Sequence, residues 1–212
     1  MKSQNTLLVL SISILLSFAS CKVEPIDTTP DPSYNNAYNY YPSEDGYQWE
    51  YIERTTNDKN ELTEEVALTA VYYQSDSTIE YSANDRVRSS AKWYNHGSRL
   101  MCCNNMRLLD YTKVDCIEDS TIIFEDNFDR NGLNDFIQIY QYCEPQYKLI
   151  EGYEGTKCIK TVHSIKYGEG NEDIVIRYYG FGIGLIYESK TSFDLEGKLS
   201  QTVTKELVSH KF

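Results

Sequence analysis

Lys157–Val208 reads KCIKTVHSIKYGEGNEDIVIRYYGFGIGLIYESKTSFDLEGKLSQTVTKELV, and this stretch decides the fold. Apolar and polar residues alternate over Lys157–Tyr167, Asp173–Tyr179, Ile183–Lys190 and Lys198–Val208, the period of strands with one buried face. Turn formers separate the runs at Gly168-Glu169-Gly170, around Gly180-Phe181-Gly182 and at Asp194 to Gly197. Strands joined by tight turns pair antiparallel, so the last third is a meander.

The same pattern extends upstream. Tyr47, Trp49 and Tyr51 alternate with Gln48 and Glu50, and Val66, Leu68, Ala70 and Tyr72 share one face of a second strand. Shorter β-rich runs fall at Thr78–Tyr81, Arg86–Tyr94, Thr121–Phe124 and Phe136–Tyr142. Nineteen tyrosines, with abundant Val, Ile and Thr, suit pleated surfaces. Ser98–Leu109 alone invites a helix. The expected domain, residues 46–212, is all-β or β with one short helix: a curved antiparallel sheet, meander or half-barrel.

The N-terminus carries an address. Lys2, an apolar run from Leu7 to Phe18 and the small pair Ala19-Ser20 lead into Cys21. About twelve apolar residues cannot cross hydrocarbon as a helix, which needs about twenty, so the run reads as a signal-peptide core. Phe18-Ala19-Ser20-Cys21 resembles the lipobox of bacterial lipoproteins, with Phe18 in place of the usual Leu. That resemblance implies removal of residues 1–20, acylation of Cys21 and anchoring in a bilayer, in the bacterial envelope and at its outer membrane. The alternative is an ordinary cleaved signal that leaves Cys21 a thiol. Residues 21–45, with Pro25, Pro30, Pro32 and Pro42 among Asp, Thr and Asn, read as a solvated tether. Tyr34, Tyr38, Tyr40 and Tyr41 are either a contact strip on it or side chains lying along the first sheet.

Without residues 1–20 the formal charge moves from −12 to −13, because Lys2 is lost. No basic block exists, and nucleic acid is therefore not an expected partner.

Two local patterns resemble a group of Gram-negative envelope lipoproteins with a first strand of the form G-x-x-W-x-Y and a C-terminal hairpin Y-Y-x-x-G-V-G-L-V after a strand bearing a Cys. The counterparts are Gly46-Tyr47-Gln48-Trp49-Glu50-Tyr51, Cys158-Ile159-Lys160, and Tyr178-Tyr179-Gly180-Phe181-Gly182-Ile183-Gly184-Leu185-Ile186. The resemblance implies a curved antiparallel sheet and carries no reaction. Gly180, Gly182 and Gly184 either leave a side-chain-free groove on a strand, or form a tight turn with Gly184 admitting an aromatic ring from across the sheet.

The most specific chemical pattern is Asn127-Phe128-Asp129-Arg130-Asn131-Gly132-Leu133-Asn134-Asp135. Calcium takes several hard oxygens from one short loop, and Asn127, Asp129, Asn131, the Leu133 carbonyl and Asp135 hold the ligand positions around a Gly turn. Asn replaces Asp at the first position and Gln138 stands where a bidentate Glu would close the shell, so affinity would be about 0.1 to 1 mM. The same residues also read as an Asn-Gly hairpin turn.

Once Cys21 is acylated, five cysteines remain: Cys102, Cys103, Cys116, Cys143 and Cys158. An exported protein meets an oxidising compartment, and Cys143 with Cys158 is the expected disulfide, with Cys116 taking one of the vicinal pair. No G-x-S-x-G elbow or Cys-x-x-Cys occurs, and the three histidines are scattered. The expected role is a lipid-anchored, non-enzymatic binding or structural accessory whose partner is a glycan or another envelope protein. Glycan binding would use Tyr47, Trp49 and Tyr51 as stacking platforms; a glycan-active hydrolase would need two carboxylates or a His dyad in a cleft.

Overall fold

In the chain's computed structural model the described residues are Tyr41, 44–96, 98–102, 106–110, 120–130, 133–142, 146–148, 152–153 and 156–212. The described residues form thirteen strands: β1 (Gln48–Asn57), β2 (Leu62–Tyr73), β3 (Thr78–Ala83), β4 (Arg86–His96), β5 (Arg99–Cys102), β6 (Met106–Asp110), β7 (Ser120–Arg130), β8 (Leu133–Tyr142), β9 (Gln146–Lys148), β10 (Thr156–Lys166), β11 (Glu172–Gly180), β12 (Gly184–Phe193) and β13 (Leu199–Lys211).

Turn chemistry explains why the chain reverses where it does. Asn57 Oδ1 accepts the backbone N–H groups of Lys59 and Glu61 at 2.9 and 3.0 Å, and Asp194 Oδ1 does the same for Glu196 and Lys198, both at 2.9 Å. Such side-chain-to-backbone bonds fix the first corner of a turn. Asn84 and Asp85 both adopt positive φ, 50° and 59°, as a two-residue hairpin turn of the primed type requires.

The strands pair antiparallel in the order β6-β5-β4-β3-β2-β1-β13-β12-β11-β10-β8-β7, with β9 off this path against β10. Apart from β9, the order is the sequence order around a ring, sealed where β1 pairs β13 and left as a seam where β6 lies against β7 and β8. The sheet is thus an up-and-down meander curled nearly into a closed barrel. At the seam one side chain substitutes for a ladder: Gln141 Oε1 accepts the Asp110 N–H at 2.9 Å, and its Nε2 donates to the Asp110 carbonyl at 2.8 Å.

The all-β expectation holds for the described residues, and the helical alternative does not. Most of Ser98–Leu109 is the β5–β6 hairpin, in which Leu100 pairs with Leu109 and Cys102 with Met106. The edge of β4, pairing Trp93 with Cys102 and Asn95 with Leu100, supplies ladder partners that outweigh the local helical pattern. The tether boundary also moves. Tyr41 is buried, stacks on Trp49 at 5.9 Å and lies 5.2 Å from Trp93. Asp45 accepts the Gln74 N–H at 3.0 Å, and Gly46 N–H donates to the Tyr72 carbonyl at 3.0 Å. The ordered domain therefore includes Tyr41, a residue whose prolyl and polar neighbours disguise it.

Candidate functional site

Register sorts the side chains of the barrel. Partners across a ladder share a face, so Trp49, Tyr51 and Glu53 of β1 point the same way as Leu207 and Lys205 of β13 and as Leu68 and Val66 of β2. Of these, Trp49, Tyr51, Leu68 and Leu207 belong to the core and Val66 packs against it, so this face is the interior. The outer face beside it carries Arg54, which pairs with Glu65 at 2.8 Å and Glu206 at 2.9 Å. Along the barrel axis the interior falls into three layers.

The first layer is an aromatic plug. Trp49, Tyr41, Tyr51 and Tyr179 are almost completely buried, and Trp93 lies 6.4 Å from the Tyr179 ring. Trp49 Nε1 donates to the Ile183 carbonyl at 2.6 Å, and the Tyr51 hydroxyl donates to the Leu185 carbonyl at 2.9 Å. Gly184, with φ +101°, sits beneath the indole, where an added Cβ would stand 3.2 Å from Trp49 Nε1. The glycine run is therefore a turn between β11 and β12 followed by a seat for Trp49, the second of the two readings. The N-terminal G-x-x-W-x-Y strand and the C-terminal Gly hairpin thus contact each other.

The second layer is charged. Glu188 of β12 meets Arg177 of β11 through its Nε and Lys205 of β13 at 3.3 Å, while Glu53 of β1 lies 3.9 Å from the same lysine. The Lys205 ammonium sits 4.4 Å over the Tyr81 ring, and the Arg177 guanidinium 5.7 Å over Trp93, so the layer reaches across the flattened lumen. Burial pushes the Glu188 carboxyl up, but Arg177 and Lys205 outweigh it and hold it down to about 2. Burial lowers Lys205, and Glu188 more than restores it. His163 of β10 is buried, with Arg177 Nη1 3.3 Å from its ring nitrogens and Thr161 Oγ1 3.3 Å from Nε2. Burial and then the Arg177 charge push its pKa well below 6.5, so it is neutral.

The third layer is the mouth. Glu64, Val66, Ala83, Asn84, Arg86 and Arg88 line a cavity of about 520 Å³. Val66 pairs with Glu53, Thr55 with Glu64, and Ala83 with Arg86, which places this cavity on the interior face, one step along the axis from the charged layer. Arg88 Nη2 pairs with Glu64 at 3.1 Å, whereas Arg86 makes no ion pair among the described residues. On another part of the rim Lys190 Nζ and the Tyr167 hydroxyl both reach Asp173 Oδ2, at 2.8 and 2.7 Å.

The residues singled out by sequence fare unevenly. Trp49 and Tyr51 are 1% and 2% exposed, and Tyr47 packs on Phe212 at 4.7 Å. They cannot form an open stacking platform, because the alternation that marked them as a set is the alternation that turns them inward. In the β7–β8 hairpin the ladder is continuous from Phe124 to Arg130, with Asn127 opposite Phe136, Phe128 opposite Asp135, Asp129 opposite Asn134 and Arg130 opposite Leu133. Asn127 is exposed on one face, while Asp135 is buried on the other, its Oδ1 accepting the Gly168 N–H at 2.9 Å. Two of the proposed calcium ligands, Asn127 and Asp135, thus lie on opposite faces, and Asn131 lies outside the described residues. No group of three or more His, Cys, Asp or Glu side chains that could hold a metal ion gathers among the described residues. Cys158 is buried in β10, with its Sγ 3.1 Å from the Thr156 carbonyl; Cys143 and Cys21 lie outside the described residues.

Sequence reasoning missed the charged layer and the mouth. One signal was present. Arg177 shares strand parity with Val175 and Tyr179, and Lys205 with Val203 and Leu207; a charge on an apolar stripe points into the interior, where it must be paired. No known protein family matches the chain and no curated protein matches it, so the role of this cup is read from its own geometry.

Proposed function

We propose that the protein is a lipid-anchored lipoprotein of the bacterial envelope, held by acylated Cys21 at the outer membrane, whose barrel is a non-enzymatic binding accessory. The observation that carries the binding part is the asymmetry of the interior: one end is filled by aromatic rings, and toward the other Glu64, Val66, Ala83, Asn84, Arg86 and Arg88 line a cavity of about 520 Å³. A cavity of this size with few polar groups on its walls is the usual form of a small-molecule site. The ionisable groups beneath it are committed to one another. Glu188, held at about 2, is an ion-paired carboxylate at neutral pH, and neutral His163 faces Arg177. Neither is poised to exchange protons near pH 7, which favours recognition over acid–base chemistry.

Anchoring is tested by metabolic labelling with an alkynyl fatty acid in a bacterial host that makes lipoproteins. The parent chain should take up label and partition into the membrane fraction, and Cys21→Ala should lose both. Equal labelling of the two chains would refute the anchor.

A further inference from the structure

The mouth of the barrel holds an imbalance of charge that no ion pair among the described residues neutralises. Its lining carries two arginines and one carboxylate. Glu64 is spent on Arg88 at 3.1 Å, which leaves the Arg86 guanidinium as the net positive charge of the cavity in a chain whose formal charge is −12. An unneutralised guanidinium at a concave surface attracts anions, and its planar fork matches a carboxylate in two parallel hydrogen bonds. Backbone geometry fixes where that fork starts. Arg86 follows the Asn84-Asp85 turn, in which both residues hold positive φ, and it pairs with Ala83 at the first rung of the β3–β4 ladder. Asn84 places an amide on the same wall, while Val66 and Ala83, both packed against the core, supply an apolar surface.

We infer that this mouth binds a small organic carboxylate, with Arg86 holding the carboxylate, Asn84 a second polar group, and Val66 with Ala83 the body of the ligand. One net positive charge suits a monovalent carboxylate better than a phosphate, which carries nearly two charges and is generally held by several donors at once. The inference rests on the reading of the barrel as a binding cup and does not involve the anchor.

The test is a titration of the full barrel chain followed residue by residue by amide NMR, with benzoate against benzamide and glucuronate against glucose as matched charged and neutral probes. At least one carboxylate should shift the signals of Asn84, Arg86 and Arg88 with saturation below about 10 mM, and its neutral partner should do so at least about tenfold more weakly. Arg86→Gln should weaken the carboxylate about tenfold or more while leaving the neutral probe unchanged, and Arg86→Lys should lie between. Equal binding of charged and neutral probes, or a carboxylate affinity indifferent to Arg86→Gln, would overturn the carboxylate assignment and leave the cup standing. Saturation by inorganic phosphate or sulfate at lower concentration than either carboxylate would overturn it in favour of a general anion site. Absence of any shift at the mouth with all four organic probes and both inorganic anions would remove the cup itself.

Discussion

Gly184 is the residue on which the plug turns. At φ +101° it occupies backbone space that L side chains rarely adopt, and the indole of Trp49 fills the volume where a Cβ would go. Gly197, at φ +74° with nothing within 4 Å of an added Cβ, meets only the first of these constraints. Gly197→Ala should therefore cost about 1 to 2 kcal/mol from backbone strain alone, and Gly184→Ala about 2 to 4 kcal/mol, because Trp49 must also give up its 2.6 Å bond to Ile183 or shift off it. Denaturant melts followed by tryptophan fluorescence would check both, since Trp49 reports on the site directly. Equal losses at the two glycines would show that the ring contact contributes nothing.

Among the elements, the seam between β6 and β8 is the most exposed to attack. Elsewhere each strand is held by rows of ladder bonds, but here the two bonds of the Gln141 amide join the edges, while the Asp110 carboxylate is occupied by Arg107 at 3.1 Å and Arg99 at 3.4 Å. Gln141 is fully buried. Gln141→Leu keeps the volume yet removes both bonds to the Asp110 backbone, at about 1 to 2 kcal/mol for each. The expected result is a loss of about 2 to 4 kcal/mol, with amide exchange rising first in β5 and β6 while β1, β2 and β13 stay protected. Uniform acceleration across the barrel would mean that the seam is not a local weak point.

The same seam shows what the sequence could and could not reveal. Period-two runs such as Val66, Leu68, Ala70 and Tyr72, and the Gly and Asp turns after Lys157, placed most strands, because alternation and turn chemistry are local properties. Ser98–Leu109 misled because β5 and β6 are short and the edge that makes them strands, β4, is a tertiary partner. Gln141 looks like any polar strand residue until the ring nearly closes and brings Asp110 to it. Tyr41 hides among prolines, and Glu53, Glu188 and Lys205 are ordinary surface types that become a site only through the pairing of β1, β12 and β13.

For the whole molecule the buried charges set a dependence on acidity. His163 and Glu188 both bind protons more weakly when folded than when unfolded, His163 through burial and the Arg177 charge, Glu188 through Arg177 and Lys205 overriding burial. Each thus stabilises the barrel fully above its unfolded pKa, and that contribution is lost as pH falls: from about 6.5 downward for His163 and from about 4.5 toward 2 for Glu188. A depression from 4.5 to about 2 corresponds to about 3 kcal/mol for Glu188. Stability measured by denaturant should be flat between about pH 7.5 and about pH 9, decline gently from about pH 7.5 down to about pH 5 and then steeply. His163→Gln should flatten most of the gentle part, the rest belonging to His210, which burial also lowers from 6.5, and leave the steep part, whereas an unchanged gentle decline would exonerate His163.

Closure of the barrel through β1 and β13 has a consequence in time. The first strand finds its partner at the end of the chain, and Trp49 waits for a carbonyl 134 residues later. A chain that emerges N-terminus first cannot finish its plug until nearly its whole length is free, and pairings so distant in sequence make folding slow. Until that moment the polypeptide remains threadable, the state that the proposed export to the envelope would require.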